Sequence, residues 1–361
     1  MFDSMLITEN GMEDISPLRE LNDKSDTLLL LQKLGLETIE NYTFENQLNG
    51  GMASLTSVFK NTDEEKVLFK FLIMPRNDSE YQRFINEYQA LKKIEVNIFD
   101  VIPCPKILID FQQHDNLPIF YFAMEYFEGE TLSDMIEKKS LPWKWQKVST
   151  LIHKITINLA SIHSNQYAHR DLHEGNILIT SLEENISQRK YIETGIRILD
   201  LGNRLNTNEK LLKDFSGKRK LIEDEYRLEG AISSWSPEYI LNNNKSVYTA
   251  QDIWSIGVLI FRLLTGKYPI QAENISELIQ KYKRVDKNIQ WYLLPTDIPK
   301  PIKHLLLRML EADEYKRIHT VATIGILYDL RFLGLLECDS SYIEKYLRVD
   351  GQIDDPLDYI Y

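Results

Sequence analysis

Two cysteines in a chain of 361 residues are too few for a disulfide framework, and Cys104 and Cys338 stand far apart rather than in the paired spacing of a metal or redox site. They read as lone buried thiols in a reducing compartment. With only 15 glycines and 12 prolines, the chain has little room for a long unstructured linker. Positive charge is also scarce. The 42 Lys and Arg against 54 Asp and Glu leave a formal charge of -12, a field that repels nucleic acid and anionic lipid, so neither is expected as a bulk partner. The most apolar stretch, residues 253 to 265 (IWSIGVLIFRLLT), is broken by Arg262 and is shorter than the roughly 20 residues that cross a bilayer. It reads as a buried helix, and no membrane partner is expected. The opening MFDSMLITENGMEDIS carries acids where an export signal has a basic segment followed by an apolar run, which points to the cytosol.

What remains is the composition of a folded globular protein, 43% hydrophobic and 27% charged, and a length that suits two lobes. Leucines at helical spacing between residues 16 and 35 predict a helix in an N-terminal extension, 1–41. Strand-like runs follow: YTFENQL, SLTSVFK and KVLFKFLI, separated by Asn-Gly-Gly and by the acidic turn at 62–65. A helix is expected over SEYQRFINEYQALKKI, with Ser79 as its cap, before two further strands, KILIDF and IFYFAMEYF. Beyond Gly129 helical patterns dominate, at 144–164, 252–265, 303–310 and 319–334. The expected fold class is α+β and bilobal: a small, mainly antiparallel β lobe with one helix over 42–126, a larger, mainly α lobe over 127–335, and an acidic tail over 336–361. A cleft between lobes is the natural place for a ligand.

The chemistry concentrates in HRDLHEGNIL, residues 169–178, where Asp171 and Asn176 lie in a loop ahead of an apolar strand. A second carboxylate, Asp200 of Asp200-Leu201-Gly202, follows the apolar run IRIL. Two short strands that each deliver an oxygen ligand suit magnesium, which takes carboxylate and amide oxygens together with nucleotide phosphates. Asp171 would then be left to meet a substrate hydroxyl. Any one of these residues alone would read as a surface charge.

HRDLHEGN resembles the catalytic loop of eukaryotic-like protein kinases, and Asp-Leu-Gly resembles their Asp-Phe-Gly metal motif, with residues 42 to 335 following the family's order. The resemblance implies a bilobal protein-kinase-like fold that uses ATP and Mg2+ and transfers the γ-phosphate to Ser or Thr hydroxyls of a protein substrate, with self-association for trans-autophosphorylation. It implies that Asp171 accepts or orients the hydroxyl proton, that Asn176 and Asp200 hold magnesium, and that Lys70, paired with Glu87, binds the α- and β-phosphates. Gly50 and Gly51 would cradle phosphate, and Met124, Glu125 and Phe127 would border the adenine. Leu178 would form the floor and Leu48, Leu55 and Leu68 the roof, although each leucine reads equally well as strand packing. Ser236-Pro237-Glu238 resembles the family's Ala-Pro-Glu, Arg317 its partner for that glutamate, and Asp252 the helix-start aspartate that supports the catalytic loop. Arg170 implies a partner in the segment from Asp200 to Glu238, with Ser216, Tyr226, Glu223, Asp224 and Glu225 as candidates.

Several positions depart from the family. In LNGGMASL only Gly50 aligns with a family glycine, and Ala53 replaces the last one. Leu68 stands where the family has alanine, His173 where serine/threonine kinases have lysine against the γ-phosphate, and Ala231 where they have threonine. A neutral imidazole can still donate one hydrogen bond, though with less charge than lysine. Two other classes stay open: an ATP-binding module without turnover, and a small-molecule kinase of the aminoglycoside or choline type. Ser236-Pro237-Glu238, Asp252 and Arg317 speak against the latter.

Overall fold

The computed structural model describes residues 5–8, 11–14, 24–51, 54–75, 77–94, 103–115, 117–180, 195–201, 205–206, 231–241, 248–320 and 323–324. These form two compact units, one containing residues up to Lys93 with Pro105–Glu128, the other Ile94–Cys104 and the chain from Gly129 onward. The first is built on a six-stranded antiparallel sheet. Its strands are β3 (Thr38–Ile39), β4 (Tyr42–Gly51), β5 (Ser54–Lys60), β6 (Lys66–Ile73), β7 (Ile107–Gln113) and β8 (Ile119–Glu125), in the order β3-β4-β5-β6-β8-β7. A separate hairpin, β1 (Met5–Thr8) with β2 (Gly11–Asp14), precedes them. Its sequence signal is Asn10-Gly11, a strong hairpin dipeptide.

Alternation along the strands assigns the two faces of the sheet. Phe69 and Phe71 of β6 join Phe59 of β5 on one face, with Phe59 and Phe69 ring centroids 4.6 Å apart. Leu30, Leu31 and Leu34, from or just beyond helix α1 (Lys24–Lys33), pack into this same cluster with Leu36 and Ile39. Of the helix predicted over 16–35, the described part spans Lys24–Lys33, and Leu30, Leu31 and Leu34 belong to the core of the β unit while Leu29 is exposed; residues 16–23 lie outside the described residues. On the opposite face lies α2 (Asp78–Lys93), whose Phe84 sits 5.0 Å from Phe122 of β8. This helix starts one residue ahead of Ser79. Its exposed N-terminus is capped by Asn77, whose Oδ1 accepts the Glu80 N–H at 3.0 Å. Sequence alone does not rank two polar residues two positions apart.

The second unit opens with β9 (Gly129–Thr131), α3 (Leu132–Lys139), α4 (Trp145–Ser164) and β10 (Tyr167–Ala168). Strands β11 (Ile177–Thr180) and β12 (Ile196–Ile198) form a hairpin, and β11 also pairs with β9. Gly129 is required in that pairing, because a Cβ there would lie 2.4 Å from the Ile179 carbonyl oxygen. After β13 (Leu205–Asn206) come α5 (Ala231–Ser234), α6 (Pro237–Ile240), α7 (Tyr248–Thr265), α8 (Ile275–Tyr282), α9 (Val285–Asn288) and α10 (Lys300–Met309). Helix α7 is the apolar run of the sequence, and Trp254 and Phe261 are fully buried within it. It packs on α4 and α10, and Gly257 admits the close approach of Met309 and Leu310. Among the described residues no helix is long and apolar enough to cross a membrane. The predicted helix at 319–334 and the acidic tail lie largely or wholly outside the described residues.

Candidate active site

In the first unit, strand periodicity decides where Lys70 points. It alternates with Phe69 and Phe71, so its side chain leaves the aromatic face and turns toward α2. There Nζ lies 2.7 and 2.6 Å from the two oxygens of Glu87, with the side chains only 12% and 5% exposed. A carboxylate so shielded from water strongly favours an ionised partner, so the pair fixes the lysine rotamer and ties α2 to β6.

The loop of the second unit, 169–176, is held from beneath by Asp252 near the start of α7. Asp252 is fully buried and accepts the backbone N–H groups of His169 at 2.8 Å and Arg170 at 2.7 Å. It also accepts a ring N–H from His163 of α4 at 2.8 Å, while the other ring nitrogen meets Thr320 Oγ1 at 2.7 Å. Buried His169 crosses the loop: its Nδ1 accepts the Asp171 N–H at 3.2 Å, and its Nε2 donates to the Leu199 carbonyl at 2.8 Å. Arg170 and Asp200 both take left-handed backbone conformations, φ 67° and 54°, which side chains disfavour by roughly 1–2 kcal/mol. The Arg170 N–H bond to Asp252 offsets that strain where it occurs.

Asn176 donates its side-chain amide to the Asp171 carbonyl at 2.9 Å, and its own carbonyl accepts the Leu199 N–H at 2.9 Å. With Nδ2 bonded to that carbonyl, Oδ1 is the acceptor of the side chain, a hard oxygen of the kind that would suit magnesium. His173 caps the short 3-10 turn Glu174–Asn176, its Nδ1 accepting the Gly175 N–H at 3.1 Å. The neutral ring is thus the tautomer that carries its proton on Nε2, leaving one donor to present. Trp235, between α5 and α6, donates its indole N–H to Asp171 Oδ1 at 3.0 Å. Glu238 and Arg317, both 4% exposed, form a two-pronged pair at 2.6 and 2.7 Å. Arg317 also donates to the carbonyls of Ala250 and Glu311, and its guanidinium lies 5.1 Å from the Trp254 ring centroid.

The model of the protein kinase domain family fits this chain over residues 42–325. The chain belongs to that family. Among its relatives, this chain is 28% identical over 287 residues to probable serine/threonine-protein kinase MARK-A of Dictyostelium discoideum, covering 78% of this chain and 23% of that protein. It is 24% identical over 276 residues to serine/threonine-protein kinase PrkC of Bacillus subtilis, covering 75% and 37%. To CDPK-related kinase 5 of Arabidopsis thaliana it is 29% identical over 236 residues, covering 62% and 35%. The chain therefore spans well under half the length of these relatives.

Of the expected adenine neighbours, Met124 is buried and lies opposite Leu68 in the strand register. Glu125 donates its N–H to the Lys106 carbonyl at 2.9 Å, and its carboxylate accepts the Lys106 N–H at 3.0 Å. The chain's own sheet thus occupies that donor, and any base-binding N–H from this segment would have to come from another residue. Leu48 pairs with Thr56, and Leu68 with Val58, on the face of the sheet that carries Lys70. Leu55 does not share it. Paired with Phe71, it packs against the aromatic core on the other face, so its place in the roof is corrected; Val58 shares the lysine's face and had not been named. The hairpin between β4 and β5 shifts register between Leu48 and Gly51, with Gly51 opposite Ser54. Leu178 sits in β11 between Thr131 and Arg197. Gly202, Ser216, Glu223, Asp224, Glu225 and Tyr226 lie outside the described residues; within them, Arg170 contacts Gln251 and the Tyr239 ring.

One cluster went unread in the sequence. Arg262, noted only as an interruption in an apolar run, pairs with buried Glu174 of the catalytic loop, and Tyr268 donates to the same carboxylate at 3.0 Å. A charge inside a buried helix requires a partner, so Arg262 was itself the available signal.

Proposed function

We propose that the chain is an ATP-dependent protein kinase that phosphorylates Ser or Thr hydroxyls of protein substrates, with autophosphorylation among its reactions. The observation that carries this reading is the catalytic loop itself: Asp171, its carbonyl bonded to Asn176, on a loop whose backbone N–H groups end on buried Asp252. Asp171 is the group we assign to the acceptor hydroxyl. As the hydroxyl oxygen forms its bond to the γ-phosphorus, the bond to the β–γ bridging oxygen breaks, ADP leaves, and the hydroxyl proton passes to Asp171. Lys70, aligned by Glu87, is assigned to the α- and β-phosphates, and the Nε2–H of His173 to the γ-phosphate. Asn176 and Asp200 would hold magnesium, which supplies neutralisation of phosphate charge when bound. The Glu238–Arg317 pair favours a protein over a small molecule as acceptor, since the small-molecule kinases weighed above lack this platform. We assign the chain to a reducing, cytosolic setting, in keeping with its low cysteine content.

The test is transfer of radiolabelled phosphate from magnesium ATP to the chain and to a generic protein substrate, beside Asp171→Ala. The variant is expected to lose about 10²–10⁴-fold in rate while remaining folded. Label confined to phosphoserine and phosphothreonine supports the acceptor assignment. ATP binding without any transfer by the wild type would refute the reading in favour of a binding module.

A further inference from the structure

The carboxylate of Asp171 needs its own orienting contact. Its backbone is fixed by His169 and Asn176, but rotation about the last bond of an aspartate side chain is soft, so backbone bonds do not aim the oxygens. The family position that would place a threonine hydroxyl nearby holds Ala231, which has no side-chain donor. Trp235 makes the contact instead, with its indole N–H 3.0 Å from Oδ1.

The indole is itself braced. Its ring stands edge-on to Tyr239 of α6, centroids 5.1 Å apart at 86°, and Tyr239 carries the guanidinium of Arg170 over its face at 4.9 Å. Arg170 directly precedes Asp171, so the brace begins and ends on the same loop. An indole N–H is a donor with no acceptor capacity. It can hold a carboxylate oxygen and cannot compete for the substrate's proton. We propose that Trp235 is a positioning residue of the phosphotransfer reaction, its indole holding Oδ1 of Asp171 so that the carboxylate presents a fixed face to the acceptor hydroxyl. The proposal rests on the kinase reading above.

Two measurements test it. Trp235→Phe keeps an aromatic ring against Tyr239 and removes only the donor; kcat is expected to fall roughly ten- to hundredfold with the KM for magnesium ATP and the unfolding midpoint nearly unchanged. A kcat within twofold of wild type overturns the proposal, as does a loss expressed in KM alone. Independently of activity, the indole N–H resonance that vanishes in Trp235→Phe should shift in the Asp171→Ala protein, because its acceptor has gone. A resonance indifferent to Asp171→Ala overturns the proposal even if Trp235→Phe fails to fold. A wild type that transfers no phosphate, yet shows the shift, would sink the kinase reading and the catalytic purpose of the contact while leaving the contact itself established.

Discussion

The two units bury charge in opposite ways. Among the described residues of the strand-rich unit, Glu87 is the one buried charged side chain, and apart from the neutral Thr27, Ser57 and Asn61 the rest of its interior is aromatic and aliphatic. The helical unit buries Glu174, Arg197, Glu238, Asp252 and Arg317. Arg197 bonds the adjacent Ile196 carbonyl, and the other four tie together segments far apart in the chain: Arg170 to Asp252 across 82 residues, Arg317 to Glu238 across 79. Apolar packing is non-directional and holds a sheet together without aiming any group. A catalytic loop with little regular structure needs directional bonds at known atoms, and buried charges make the strongest of these. The shielded pair of the first unit, Lys70–Glu87, acts differently, tying a strand to a helix.

This contrast can be broken. Arg317→Met leaves the Glu238 carboxylate buried without its partner, and equilibrium unfolding in denaturant should show a loss of about 3–5 kcal/mol. Adding Glu238→Leu to that variant should restore most of the stability; if the double variant is no better than the single, charge burial is not what the site depends on. In the other unit Glu87→Gln replaces an ionic tie with a neutral one. Because Lys70 keeps 12% exposure and some access to water, the same experiment should show a smaller loss, about 1.5–3 kcal/mol, accompanied by weaker binding of magnesium ATP. Equal losses in the two units would erase the distinction. The smallest effect tests the tie's support: Asn77→Ala removes the cap of α2 and should cost about 1 kcal/mol while leaving the Lys70–Glu87 pair formed.

Much of this architecture was legible in the chain. The runs SLTSVFK and KVLFKFLI are strands at the boundaries read from alternation, and the helix expected at 144–164 spans Trp145–Ser164. Period 2 and period 3.6 are local properties, and a strong pattern survives folding unchanged. Boundaries governed by caps were less secure, as Ser79 and Asn77 show. The face assignment of Leu55 failed for a related reason: a motif counted along the chain ignores which way the pleat turns each residue, and pairing with Phe71 sends Leu55 to the aromatic side.

By itself the sequence determined the family and the order of its motifs, because the residues proposed for phosphate chemistry, Lys70, Asp171, Asn176 and Asp200, lie in short motifs of fixed spacing. Tertiary structure alone decided who aims them. Trp235 on Asp171, Arg262 on Glu174 and His163 on Asp252 join residues 64 to 89 positions apart, and no local pattern encodes such a pairing. A buried polar group must find a partner somewhere, but only the packing of the helices says which one lies within hydrogen-bond reach.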